Sequence, residues 1–171
     1  SESNSSFSGG VLSMIGAINN AQPYEKELWR IADDRNILSE SEKMGALYIP
    51  PKVGDRIKMD APTSFTKEEA VLKDIGNTKY GDIIIYELEP GARALDIEQL
   101  SHYKSQKEAI TCGEFEVVDV SVKNSRRMRR VKKDAKPEVV ESAKKRMIGV
   151  DEDGNYIVPF YEVRVKIRQV G

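Results

Sequence analysis

Apolar residues along this chain follow a helical spacing in one early segment and alternate with polar residues in several later ones. Segment 11–20 has apolar residues at positions 11, 12, 14, 15 and 18, which form one face of a helix. A second, short helix is predicted at 67–74. Alternating or β-branched stretches predict strands at 27–31, 56–59, 82–88, 114–122 and 156–170. One helix followed by many short strands predicts an α+β fold whose sheet is mainly antiparallel.

The first ten residues differ from the rest, because they are rich in Ser, Gly and Asn and poor in apolar side chains. We expect 1–10 to form a flexible tail or the end of a linker, and 11–171 to form one domain. The chain is then expected to be one piece of a larger delivery polypeptide.

Composition excludes several kinds of site. The 171 residues carry a formal net charge of −1, with one cysteine, Cys112, and one histidine, His102. An internal disulfide is therefore impossible, and we predict no metal, because a zinc site would need more His and Cys ligands. No apolar run approaches the roughly 20 residues of a membrane span, and the N-terminus lacks the pattern of a secretory signal. We expect action in the cytosol, without a membrane partner.

Segment 123–149 is strongly basic. It holds 11 Lys and Arg against 3 Asp and Glu, a local charge of +8 that leaves −9 for the rest of the chain. One interpretation is a solvated, partly disordered hairpin insertion, helical at most around 137–147. The other is a patch for a phosphate backbone or an acidic partner, although no aromatic residue interleaves the run. The densest block contains Arg126, Arg127, Arg129, Arg130, Lys132 and Lys133.

An amide and a carboxylate stand two residues apart at Gln106 and Glu108, after a short polar turn and before an extended run at 109–122. In a strand, residues i and i+2 share a face, so both side chains are expected to point into one cleft while Lys107 points away. A fixed carboxylate beside an amide suits the stabilisation of a cationic sugar.

Three separated signals occur in one order along the chain. The first is an arginine, Arg30, in the early strand Leu-Trp-Arg-Ile. The second is the segment 62–66, Pro-Thr-Ser-Phe-Thr, with Ser64 at its centre. The third is Leu-Ser-His-Tyr at 100–103, followed by Gln-Lys-Glu at 106–108. This order resembles the Arg–Ser–Glu class of mono-ADP-ribosyltransferases, which occur as bacterial toxin effector domains and in phage proteins.

The sequence departs from the pattern of that class at two positions. The usual Arg-Gly pair is Arg-Ile here, and the Ser-Thr-Ser motif is Ser-Phe-Thr at 64–66. Arg35 is a second candidate for the arginine. We favour Arg30, because its bulky apolar neighbours fit a strand whereas Arg35 lies in a polar stretch.

The resemblance implies a fold with an N-terminal helix and two mainly antiparallel β-sheets around an NAD cleft. It implies NAD as co-substrate. Arg30 is expected to bind the NAD phosphates. Glu108 is expected to contact the ribose 2′-hydroxyl and to stabilise positive charge on the sugar. Ser64 is expected to hydrogen-bond Glu108 and hold its rotamer.

Four further assignments follow from the same resemblance. Thr66 and Phe65 join the NAD site, although Thr66 also fits a helix cap and Phe65 fits the core. Gln106 and Tyr103 are expected to face the acceptor, and the amide predicts an acceptor other than arginine, either a protein side chain or a nucleic-acid base. A cognate immunity protein is a further expected partner.

Two alternatives to transfer remain. The same site can pass the ribose to water, which would make the chain an NAD glycohydrolase toxin. A protein of the same fold can also be non-catalytic and bind nucleic acid or another partner through its basic segment.

Overall fold

The computed structural model describes residues 2–33, 48–76, 81–100, 105 and 107–171, with side chains from residue 10 onward. Its α-helices are α1 (Glu2–Asn19), α2 (Leu72–Gly76) and α3 (Pro137–Arg146), and single turns of 3₁₀-helix lie at Glu69–Val71 and Glu98–Leu100. The strands are β1 (Pro23–Tyr24), β2 (Leu28–Asp33), β3 (Arg56–Thr66), β4 (Ile83–Leu88), β5 (Ala92–Asp96), β6 (Glu108–Val131), β7 (Gly149–Val150) and β8 (Tyr156–Val170).

The described strands form one hydrogen-bonded sheet in the order β1-β5-β6-β3-β2-β4-β8-β7. Strand β6 also pairs with β8, so that β6, β3, β2, β4 and β8 form a closed ring of pairings. Every pairing is antiparallel except that of β4 with β8. The predicted α+β class, with an N-terminal helix and mainly antiparallel strands, is confirmed.

The expected division into two sheets differs from what is observed, and the length of β6 is the reason. This strand has 24 residues. Its first residues pair with β3 and β5, and the stretch from Glu114 onward pairs with β8. One strand therefore links what would otherwise be two separate sheets.

Alternation along the strands of the ring builds the main core. Residues 84, 86 and 88 of β4 and residues 163, 165 and 167 of β8 are buried, while their neighbours are more exposed. Phe115 and Val117 of β6 and Leu28 of β2 join them. A fully buried apolar side chain contributes about 1.5–3 kcal/mol, so this cluster supplies a large part of the driving force for folding.

The helix predicted from the apolar stripe at 11–20 is confirmed as the second half of α1. Ile18 is fully buried and packs with Ile110 and Cys112 of β6. The backbone is helical from Glu2, however, whereas the composition indicated a tail at 1–10. A helix started by a packed face extends into residues of low propensity at little further cost, because nucleation is the costly step.

Other elements differ in extent from the prediction. The helix expected at 67–74 is a 3₁₀ turn followed by α2. Strand β3 continues from the predicted 56–59 to Thr66. Strands β1, β5 and β7 were not predicted. In the part of the chain that the structure describes, no helix combines the length and apolarity that a membrane span requires.

The basic segment is built into the fold, which corrects its interpretation as a partly disordered hairpin. Residues up to Val131 continue β6, and α3 packs on the sheet through Ala143, Val131 and Val158. The side chain of Arg146, at the end of α3, binds Asp82 with N–O distances of 2.7 and 3.1 Å. The helix predicted around 137–147 is confirmed.

Candidate active site

A small cavity lies where β2 and β3 diverge. These strands share a single residue pair, Trp29 with Thr66, although each continues beyond it. The cavity has a volume of about 180 Å³, and residues of both strands line it together with Leu72 and Ile75 of α2. The predicted residues Arg30, Ser64, Phe65 and Thr66 are all among its walls.

Arg30 reaches β3 from the edge of this cavity. Its Nη1 donates a hydrogen bond to the backbone oxygen of Ser64 at 3.0 Å. Burial lowers the pKa of Arg30, and the Tyr86 hydroxyl nearby acts weakly in the opposite direction. Among the described residues Arg30 has no carboxylate partner. A partly buried guanidinium of this kind favours an anionic ligand, because a phosphate or carboxylate would satisfy its remaining donors.

Ser64 connects the arginine to Glu108. Its Oγ donates a hydrogen bond to Glu108 Oε1 at 2.7 Å, across the ladder between β3 and β6. This is the contact that the resemblance implied. A charge-assisted bond of this length fixes the carboxylate rotamer. Arg30, Ser64 and Glu108 are therefore joined through one serine residue, although 34 and 44 positions separate Ser64 from the other two.

The backbone on both sides of Glu108 is held as well. The Glu108 oxygen accepts a hydrogen bond from the Ile97 N–H at 3.1 Å, and the Lys107 oxygen accepts one from the Lys67 N–H at 2.8 Å. Lys107 has a φ of 51°, in the left-handed region that non-glycine residues rarely adopt. Strand β6 thus begins abruptly at Glu108, directly after a strained residue.

Four charged side chains form a network beside this strained residue. Glu98 binds Lys107 Nζ at 2.8 Å and Lys67 Nζ at 2.6 Å, and Lys67 also binds Asp96 at 2.8 Å. Hydrogen bonds from Lys107 and Lys67 lower the pKa of Glu98 to about 2. Sequence reasoning missed these residues, because Lys67 and Glu98 are 31 positions apart and no motif marks the pair.

Thr66 and Phe65 line the cavity but also have structural roles. The Thr66 hydroxyl accepts a hydrogen bond from the Glu68 N–H at 3.2 Å, which caps the turn that leads into the first 3₁₀-helix. Phe65 is 2% exposed and belongs to the main core. Phe65 therefore fits the core as well as the cavity wall, and the expected part of both residues in an NAD site stays a prediction.

Several predicted residues lie outside the described part of the chain, namely Gln106, Tyr103, His102 and the alternative arginine, Arg35. The expectation that Gln106 shares a strand face with Glu108 therefore stays a prediction. Strand β6 begins at Glu108, directly after the left-handed Lys107.

The basic residues occupy the far end of β6. Arg127 and Arg129 stack on Phe160, with guanidinium-to-ring distances of 5.3 and 5.9 Å, and Arg130 binds Asp151 at 2.8 Å. Arg126, Lys132 and Lys133 are exposed. Among the described residues, no group of three or more His, Cys, Asp or Glu is placed to hold a metal ion.

The candidate site combines a partly buried cation, Arg30, with a carboxylate, Glu108, that Ser64 holds. The arginine can bind an anionic group of a substrate, and the carboxylate can stabilise positive charge that develops nearby. The arrangement therefore suits a substrate that carries phosphate and reacts through a cationic sugar.

Comparison with known proteins found similarity at the level of structure only. No protein-family model matches the chain, and no curated protein sequence matches it either. Among solved structures, C3larvin toxin, an ADP-ribosyltransferase from Paenibacillus larvae, is similar with a TM-score of 0.47 and 11% identity, over 94% of this chain and 69% of that one.

Two further structures are similar over most of the chain. An ADP-ribosyltransferase from Clostridium botulinum has a TM-score of 0.44 and 8% identity, over 89% of this chain and 64% of that one. Exoenzyme S from Pseudomonas aeruginosa, solved with human 14-3-3 protein beta and Carba-NAD, has a TM-score of 0.45 and 14% identity. It covers 92% of this chain, which spans 55% of that one.

These structural neighbours include ADP-ribosyltransferase toxins, the class that the sequence resembles. At TM-scores of 0.44 to 0.47 such similarity decides nothing about catalysis. The proposed function therefore rests on the geometry of the site.

Proposed function

We propose that this chain is an NAD-dependent mono-ADP-ribosyltransferase that modifies a macromolecule, as the catalytic part of a toxin effector or phage-encoded protein acting in the cytosol. One observation carries the proposal. Arg30, Ser64 and Glu108, the three residues that define the class, are linked by hydrogen bonds of 3.0 and 2.7 Å, and Arg30 and Ser64 line one cavity.

The reaction assigns each of these residues a role. The bond between nicotinamide and ribose breaks, and its electron pair leaves with nicotinamide. Positive charge then develops on the ribose, and Glu108 stabilises it while accepting a hydrogen bond from the 2′-hydroxyl. Arg30 binds the diphosphate, which satisfies the remaining donors of its partly buried guanidinium. The acceptor nucleophile then forms a bond to the sugar carbon that nicotinamide has left, and its proton passes to solvent water.

Residues beside the reacting atoms complete the proposed site. Gln106 and Tyr103 face the acceptor, and the neutral amide at 106 selects an acceptor other than a guanidinium. Thr66 and Phe65 line the cavity and take no part in the reaction itself. No metal takes part in this reaction.

The test is an assay with NAD labelled on the adenine. Wild-type protein is incubated with cell lysate, and label is measured separately in protein, in nucleic acid and as free ADP-ribose. The variant Glu108→Gln keeps the shape of the side chain and removes the charge, so we expect label transfer to fall by at least a hundredfold. Glu116→Gln, on the same strand, is the matched control and should retain activity.

The possible results separate the candidate functions. Label in protein or nucleic acid that depends on Glu108 supports a transferase. Free ADP-ribose alone identifies a glycohydrolase. NAD consumption that is absent, or that is equal in wild type and Glu108→Gln, refutes the proposed enzyme.

A further inference from the structure

A second, larger hollow adjoins the candidate active site, on the face of the sheet that carries Glu108 and Ile31, whereas Arg30, opposite Tyr86, belongs to the other face. It is a groove of about 800 Å³ between α2 and strands β2, β4 and β8. Ile31 and Leu72 line both the groove and the small cavity that holds Arg30 and Ser64. The groove is therefore continuous with the site.

Strand register shows that this face runs from Glu108 of β6 across the sheet to Arg164 of β8. Residues directly opposite one another in paired strands share a face. Glu108 is opposite Thr66, and Thr66 is opposite Trp29. Two residues further along β2, Ile31 is opposite Ile85, which is opposite Arg164 of β8.

The floor of the groove is aliphatic. Ile31, Ile83 and Ile85 provide it, and Ala70 and Leu72 form one wall. In the described part of the chain no aromatic side chain lines the groove, so bases would find no stacking surface there. An aliphatic floor of this kind suits an apolar side chain of a polypeptide.

The rim of the groove carries an uncompensated positive charge. Arg164 binds Glu69 at 3.0 Å and Glu87 at 2.5 Å, and Glu162 binds Lys123 at 3.0 Å. These groups largely neutralise one another. Arg127 and Lys73 also line the groove, and among the described residues neither has a carboxylate partner.

Arg127 is held in place to receive an anion. Its guanidinium stacks on Phe160 at 5.3 Å, and its Nη2 donates to the Gly81 oxygen at 3.1 Å. A cation preorganised in this way loses little conformational freedom on binding. Carboxylates of Glu69 and Glu162 on the same rim would repel the closely spaced charges of a nucleic-acid backbone, but they tolerate a single acidic side chain.

We propose that this groove docks a polypeptide segment of the acceptor, with an apolar side chain on Ile83 and Ile85 and an acidic side chain at Arg127. This inference rests on the proposed function and names its acceptor class as protein. The basic run of β6 then contributes chiefly through the one arginine that faces the groove. The other arginines supply long-range attraction and keep the exposed edge of β6 from pairing.

The test compares two neighbouring arginines. Arg127→Glu and Arg126→Glu change the charge equally, but only Arg127 lines the groove. We expect Arg127→Glu to lower label transfer to protein in lysate at least tenfold, and Arg126→Glu to change it less than twofold. Hydrolysis of NAD in buffer alone should be unchanged in both.

Three results would overturn the docking proposal while leaving the enzyme intact. Equal losses in the two variants would indicate general attraction to polyanions. A raised KM for NAD in Arg127→Glu, measured without lysate, would mean that the groove holds the dinucleotide. Label found in the nucleic-acid fraction would show that the acceptor is not a protein.

A binding measurement keeps the proposal testable if the chain consumes no NAD. The probe is a fluorescein-labelled peptide of alternating glutamate and leucine, compared with one in which serine replaces leucine. We expect saturable binding of the first peptide, at least fivefold weaker in Arg127→Glu and unchanged in Arg126→Glu. Equal affinity for the two peptides, or no saturable binding, would refute the groove as a docking site.

Discussion

Lys107 Nζ lies 2.8 Å from Oε1 of Glu98, and Lys107 is the left-handed residue directly before Glu108. The ion pair therefore acts on the point where the chain turns into β6. Because Glu98 also binds Lys67, whose backbone N–H holds the Lys107 oxygen, one carboxylate ties both sides of the turn.

Loss of this carboxylate should weaken the positioning of Glu108. We expect Glu98→Gln to lower kcat several-fold and to leave the KM for NAD near the wild-type value, because the variant leaves Arg30, the proposed phosphate-binding residue, unchanged. Steady-state kinetics measures both. Glu116→Gln removes a surface pair with Arg168 and serves as control. Equal changes in kcat in the two variants would contradict a positioning role.

The ion pairs of Glu98 should also make the free energy of unfolding depend on pH in the acid range. The pKa of Glu98 is lowered from its ordinary value of 4.5 to about 2 in the folded protein. A lowered carboxyl pKa stabilises the folded state above pH 4.5, and this contribution disappears as the pH falls towards 2. Urea unfolding of wild type and Glu98→Gln across this acid range and up to neutral pH should show a difference that shrinks with acid. A constant difference would rule this linkage out.

Ser64→Ala should impair catalysis and also lower stability. The variant removes a hydrogen bond to a charged group, which contributes about 1.5–3 kcal/mol to folding. Because the same bond holds the Glu108 rotamer, we expect kcat of the folded variant to fall roughly tenfold. Thr63→Ala is the matched control, because the Thr63 hydroxyl donates to the nearby Ala61 oxygen and not to Glu108. If both variants retain full kcat, the rotamer of Glu108 does not depend on Ser64.

Arg30→Lys should separate binding from charge. Arginine can donate to the Ser64 oxygen and still present further N–H groups to phosphate oxygens, because its guanidinium is a planar fork. Lysine keeps the positive charge but lacks this fork. We expect the dissociation constant for NAD to rise at least tenfold by calorimetry. Arg56→Lys, at the exposed start of β3, should leave it unchanged. If Arg30→Lys bound NAD with wild-type affinity, Arg30 would not be the residue that binds the phosphates.

The buried pair between Arg146 and Asp82 should matter more for stability than any surface pair. Their side chains are 7% and 1% exposed. Replacing Arg146 by Met leaves a buried carboxylate unpaired, which costs about 3–5 kcal/mol. Arg130→Met breaks the exposed pair with Asp151 and should cost about 0–1 kcal/mol. Urea midpoints give both values, and similar midpoints would show that α3 is docked by other contacts.

The spacing of apolar residues in the sequence was enough to predict the helices and strands whose buried residues recur at regular intervals. Strand β8 alternates buried and exposed residues, and α1 presents Ile18 at the spacing expected of a helix face. The order of Arg30, Ser64 and Glu108 also pointed to the candidate site, because each residue lies in a short motif that can be recognised in the sequence alone.

Elements that depend on distant partners could not be predicted in this way. Strand β5 contains Ala, Arg and Leu, which favour helix, and it is extended because it pairs with β6. The basic half of β6 has no alternation and is a strand because β8 lies beside it. Lys107 adopts its left-handed backbone under contacts from Lys67 and Glu98, which no local rule anticipates.

The pairing of β2 with β3 is the weakest strand pairing in the closed ring. It consists of the single pair between Trp29 and Thr66, whereas β2 makes six pairs with β4 on its other side. Separation of β2 from β3 would widen the cavity while the other strand pairings of the ring remain intact. Backbone amides of β2 that face β3 should then exchange with deuterated solvent faster than those that face β4, and a bound dinucleotide spanning the gap should slow them. The entrance to the proposed site would thus be the point at which a single residue pair closes the sheet.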